Sequence, residues 1–290
     1  MEESASLLKI DQETLTKLSK DKLSQVNFSG AGLSELAIQV ISYAVEKASK
    51  VFSINLSDNG FSSEVCRDLS RMLSVNYNLV FVDFSYNKID NEGAEHLSMG
   101  LLKENKIKTL YLNSDVIGAI GISKLSISIA RMTKLVSLDL SQNPIGDEGM
   151  LCLLKAYKES SEEINLQSLY VDDCGIQEEG AIAAAVLMGH LPSLVTLHIE
   201  DNPISDKGAQ ALLTVVAEDP KKRKLFLTTG VGKLEERDEL KLPPLELEPQ
   251  FRREARRYIN TDSNWRLLRE KLDGGGKSIL VEEVKAVDGQ

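Results

Sequence analysis

At 290 residues the chain is long enough for one extended repeat domain or two ordinary ones, and 42% hydrophobic residues supply a core. A formal net charge of −10 excludes sequence-independent nucleic-acid binding, which needs a basic footprint. No apolar run approaches the roughly 18 residues of a membrane span, and the acidic start Met-Glu-Glu-Ser lacks the basic and apolar regions of a secretory signal, so a cytoplasmic location away from membranes is expected.

The first 22 residues predict a helical cap, with Asp11 as a helix start and Leu7, Leu8, Leu15 and Leu18 as its apolar face. From Leu23 the chain repeats itself. The pattern L-x-x-L-x-L begins at Leu23 (with Val26 and Phe28) and returns at Val51, Leu79, Ile107 and Leu135, each 28 residues on. It begins again at Leu166 after a step of 31, then at Leu194 after 28, and a degraded eighth copy keeps Leu225 and Leu227.

Other positions keep the same register. Eight residues after each start lie Ala31, Asn59, Asn87, Asp115, Asn143, Cys174 and Asn202. Fourteen after, the last five copies carry Gly93, Gly121, Gly149, Gly180 and Gly208. Alternating apolar residues predict a short strand buried on one face. The asparagine turns the chain and satisfies backbone groups there. The apolar residues that follow at spacings of three and four predict a helix behind the strand, which the glycine lets sit close to the strand layer. One such unit cannot bury its own edges, so neighbours must stack.

The copies LVSLDLSQNPIGDEGMLCLL (Leu135–Leu154) and LVTLHIEDNPISDKGAQALL (Leu194–Leu213) resemble the ribonuclease-inhibitor-like class of leucine-rich repeats. The resemblance covers about Leu23 to Leu227. It implies an α/β solenoid, a horseshoe with parallel strands on the concave face and helices on the convex face. The repeat domain is expected over residues 23–232, followed by a Pro-containing linker at 233–250 and a helical cap or tail at 251–290. The three residues inserted within KAYKESSEEIN are expected to bulge in a helix-to-strand loop, where length change is cheap.

The tail stands apart in charge. Residues 251–272 hold six Arg and one Lys against three acids, a net +4, so the remainder carries −14. Docking on the last repeat through Phe251, Tyr258, Trp265 and Leu268, or binding a second, acidic partner, both fit. The final stretch SILVEEVKAV is expected to be mobile or to fold on a partner.

Catalytic signals are absent. The Gly274-Gly275-Gly276-Lys277-Ser278 run lacks the upstream glycine of a phosphate loop, which falls at Lys271. His96, His190 and His198 share no ligand spacing along the chain, and Cys66, Cys152 and Cys174 show no metal-like pattern. No enzyme activity, cofactor or metal is therefore expected.

Strand positions between the buried leucines form columns on the concave face, because side chains alternate. Phe81, Tyr86, Tyr111 and Tyr170 are aromatics that the fold does not need there. Asp83 and Asp139 share the column of Tyr111, Tyr170 and His198, while Asp172, Asp173, Glu200 and Asp201 concentrate acid toward the C-terminal end. Aromatic anchors ringed by charge predict a protein-binding surface for a partner with a basic face. The resemblance implies an interaction scaffold, with cytoskeletal or ciliary assemblies as a setting. It also admits two alternatives: a GTPase-activating protein of the Ran type, and an inhibitor wrapping a basic enzyme.

Overall fold

The computed structural model describes residues 12–218, 223–227 and 279–281. Leu7, Leu8 and Asp11 of the expected cap, the linker 233–250 and the basic segment 251–272 lie outside the described residues.

Eight strands run parallel in chain order: β1 (Gln25–Asn27), β2 (Ser53–Asn55), β3 (Phe81–Asp83), β4 (Thr109–Tyr111), β5 (Ser137–Asp139), β6 (Ser168–Tyr170), β7 (Thr196–His198) and β8 (Lys224–Leu227). Helix α1 (Gln12–Ser19) precedes them. Between strands come α2 (Glu35–Lys47), α3 (Cys66–Val75), α4 (Asn91–Leu101), α5 (Ala119–Ile129), α6 (Gly146–Glu159), α7 (Glu178–His190) and α8 (Asp206–Glu218). The sheet is open, each strand bonded only to its sequence neighbours. A ninth strand, β9 (Ile279–Val281), pairs antiparallel with β8. Three residues of the tail, expected to be mobile or to fold on a partner, thus extend the sheet of this chain itself.

Register follows the repeat. Val26, Ile54, Val82, Leu110, Leu138, Leu169, Leu197 and Leu225 stand opposite one another in order. All are essentially buried, as are the second strand leucines Leu56, Leu112 and Leu140. They meet Leu69, Leu97, Leu125, Leu153 and Leu212 from the helices in one continuous core. The inserted residues leave this register intact: Ser137 still pairs with Ser168. Residues 160–167 join α6 to β6, against 191–195 in the next repeat, so the extra length sits in the helix-to-strand loop. Leu18, buried, and Leu15 of α1 cover the first repeat.

The asparagines stitch one repeat to the next. The Asn87 amide donates to the carbonyls of Leu56, Phe84 and Ser85 at 3.2, 2.7 and 3.0 Å, while its oxygen accepts from the backbone of Asn59 and Phe61 in the preceding repeat. Asn143 and Asn202 do the same. These bonds satisfy turn groups that would otherwise be buried unpaired. Cys174, buried at the same position, reaches the Leu140 and Asp172 carbonyls only at 3.4 Å through sulfur.

The glycine column makes a different contact from the one expected. A Cβ on Gly93 would meet Ser63, on Gly121 it would meet Asn91 and Ala94, and on Gly208 Ala181. These are neighbours at the start of the preceding repeat's helix, along with the residue's own upstream isoleucine. The glycines therefore let successive helices approach each other, rather than the helix approach the strands.

Candidate functional site

The helices cover one face of the sheet, and the other face carries the residues flanking each buried strand leucine. Those flanking side chains are mostly half-buried, in the pattern half-buried, buried, half-buried.

Two aromatic groups form on this face. Phe81 and Tyr111 meet edge to face, ring centroids 5.6 Å apart at 82°. Farther along, Tyr170, His198 and Phe226 form a ladder across β6, β7 and β8: Tyr170 and His198 lie 4.5 Å apart at 23°, and His198 and Phe226 3.8 Å apart at 8°. Phe226 was missed by sequence reasoning. The signal was available, since it lies between Leu225 and Leu227 in the same column as His198.

Carboxylates stand along the same face as both aromatic groups, with distinct roles. Asp83 is buried, and its carboxylate accepts from the Ser85 backbone and hydroxyl at 3.0 and 2.5 Å, so it closes the strand end and offers little to a partner. Asp139 accepts from the Ser141 N–H at 2.9 Å, yet burial outweighs this and pushes its carboxyl up. Asp172 accepts from the Glu200 backbone N–H at 2.6 Å; burial, joined by repulsion from Glu200, Asp139 and Asp201, pushes its carboxyl up to about 6. Burial lowers the basicity of His198, against the pull of Glu200 and Asp139. Glu200 Oε1 is shut off from solvent and has no hydrogen-bond partner. Ligand-type atoms of Asp172, His198 and Glu200 lie within 4.8 Å of one another.

The remaining predicted residues sit elsewhere in the backbone. Tyr86, Asp173 and Asp201 are exposed, but they occupy a turn just past the strand where the backbone is left-handed. The same conformation recurs at Asp58, Ser114 and Gln142, with φ between 49 and 58° across the six. Aspartate tolerates this region; tyrosine does so only at a cost. Tyr86, 55% exposed, is held there without core packing to explain it.

On the opposite side of the repeat, the loops after α4, α5 and α6 line an open groove of about 870 Å³, with Lys103, Lys106, Arg131, Lys134 and Glu162 among its walls. The inserted loop forms part of its rim through Ser160 and Ser161. Among the described residues no helix is long and apolar enough to cross a membrane.

A family model described as Leucine Rich repeat matches residues 75–98, 131–154, 164–183 and 190–213. The chain therefore carries leucine-rich repeats, and the four matched segments all fall within the region that repeats. No curated protein matches it in sequence. Among solved structures it is similar to one described as Leiomodin-1 Actin-Binding Site 2, at 14% identity and a TM-score of 0.41, covering 51% of this chain and 87% of that one.

Proposed function

We propose that this leucine-rich-repeat chain, of the ribonuclease-inhibitor-like class, is a non-enzymatic scaffold that binds a partner protein with a basic surface on the exposed face of its sheet. The observation that carries this is the composition of that face: the Phe81–Tyr111 pair and the Tyr170–His198–Phe226 ladder stand on strands whose core is already complete on the other side. Rigid aromatics of this kind act as anchors with little loss of rotamer freedom. Asp139, Asp172, Asp173, Glu200 and Asp201 supply charge that would steer a basic partner. Tyr86, kept in a backbone conformation that suits Asn or Gly better, adds an aromatic at the rim. The repeat-class resemblance suggests a cytoskeletal or ciliary assembly in the cytoplasm as the setting, and the basic segment 251–272 is a candidate for a second contact.

The test is capture of a partner by the wild-type chain beside Phe81→Ser/Tyr111→Ser, two half-buried positions whose removal leaves the core leucines intact. A partner retained by wild type and lost from the double variant supports the face. The same partner bound equally to both would move the function to the helical side. Association with the captured partner is expected to slow as salt rises from low to physiological strength and beyond, because steering is screened.

A further inference from the structure

The Asp172, His198 and Glu200 side chains form a juxtaposition that stacking creates and that no segment of the sequence contains. His198 lies in β7, Glu200 two residues beyond it, and Asp172 one repeat earlier in the column of Glu200. One ligand-type atom from each lies within 4.8 Å of the other two. Each side chain is already oriented. Asp172 is held by the Glu200 N–H at 2.6 Å. The His198 ring is sandwiched between Tyr170 and Phe226. Glu200 presents an oxygen that is excluded from water and unpartnered, which is costly for a carboxylate unless a ligand completes it.

We propose that Asp172, His198 and Glu200 bind a divalent transition-metal ion of the zinc class on the exposed face of the sheet. The donor set selects the ion. An imidazole nitrogen is a poor ligand for Ca²⁺ or Mg²⁺, which take oxygen, and a good one for zinc and its neighbours. Zinc bonds to nitrogen and carboxylate oxygen run about 2.0–2.2 Å, so the donors, now within 4.8 Å of one another, must draw closer around the ion, with the Asp172 and Glu200 side chains moving toward the stacked His198 ring. Two carboxylates and a neutral imidazole leave two negative charges, which one divalent ion balances. Asp139 and Asp201, which act on Asp172 electrostatically, add further negative field around it. Three protein ligands leave at least one coordination position for water or for a group from outside. Metal uptake needs no partner; a filled site would leave Asp139, Asp173 and Asp201 as the charges that steer one.

The test uses the purified full-length chain, stripped with a chelator and titrated with zinc chloride by calorimetry. A long-range ¹H–¹⁵N spectrum is recorded in parallel. Since the chain has three histidines, the imidazole that responds can be assigned from the His198→Ala spectrum. Saturable uptake of one equivalent is expected, with only the His198 nitrogens shifting. His198→Ala should abolish it. Glu200→Gln and Asp172→Asn, which keep side-chain volume, should weaken it more than about 10-fold, since even outer-shell changes cost 10–100-fold. Circular dichroism confirms that each variant stays folded. Absence of saturable uptake, undiminished uptake in His198→Ala and Glu200→Gln, or a response at His96 or His190 instead would overturn the proposal. Equal affinity for Mg²⁺ or Ca²⁺ would overturn the metal class.

Discussion

Asp115 occupies the ladder position that Asn87 and Asn143 fill in the repeats on either side. Its Oδ1 accepts from the backbone of Asn87 and Ile89 at 3.2 and 3.0 Å, as an asparagine oxygen would. Its Oδ2 is buried with no partner, because the register puts carbonyl oxygens where the neighbouring asparagines aim an amide. Burial, opposed by those two N–H bonds, pushes the carboxyl up to about 8. An unfolded aspartate titrates near 3.9. Between about pH 4 and 8 the folded chain therefore holds a proton that the unfolded chain has released. The stability Asp115 contributes is full below pH 4 and is lost as pH rises to 8, at no more than about 1.4 kcal/mol per unit. Asp115→Asn restores the donor and removes this dependence. It should raise the urea midpoint, and the gap from wild type should widen from pH 5 to pH 9; parallel profiles would mean that Asp115 does not titrate in this way. Tyr86 gives a second residue-level test. Tyr86→Asn relieves a left-handed tyrosine and should leave stability unchanged or raise it by up to about 1 kcal/mol, while partner capture falls. A loss of stability would place Tyr86 among the structural residues.

Between elements, the tightest constraint is where α4 crosses α3. A Cβ on Gly100 would fall onto the Ser70 carbonyl oxygen and within 2.9 Å of its carbonyl carbon. Backbone cannot swing aside as a side chain can, so Gly100→Ala must part the helices. It should cost about 1–3 kcal/mol, seen as a lower thermal midpoint; an unchanged midpoint would mean that the α3–α4 spacing is slack. This glycine lies outside the column that the repeat reveals, which shows what sequence could and could not give. The strands, their register and the asparagine ladder were legible, because each rests on a residue type recurring at 28. The exposed face was legible too, through alternation. The turn holding Tyr86 was not, since Asp, Tyr, Ser and Gln share no feature that announces a positive φ. The Asp172–His198–Glu200 group has no ligand spacing along the chain, because Asp172 joins His198 and Glu200 only across neighbouring repeats. β9 escaped because its pairing with β8 spans a long stretch without repeat pattern.

Across the whole molecule, every strand bonds only to its immediate neighbours, and helices pack mainly on the helices before and after them. Stability in such a chain is close to a sum of repeat terms and neighbour interfaces, so the place of a defect matters as much as its size. Leu138 in β5 is fully buried near the middle of the row, with Leu110 and Leu169 on either side. Leu138→Ala should remove roughly 2–5 kcal/mol, a large part of the 5–15 kcal/mol that ordinarily holds a domain folded. Because that loss falls at the joint between two sets of repeats, the halves should no longer unfold together. The urea transition is expected to broaden or split, with a smaller slope than wild type, since each step exposes only part of the surface. Leu212→Ala, an equally buried leucine in α8 toward the end of the row, should instead fray the last repeats and leave the main transition close to its original midpoint. The two variants remove the same atoms. A common slope and midpoint for both would mean that the repeats fold as one cooperative block and that position along the solenoid carries no energetic weight.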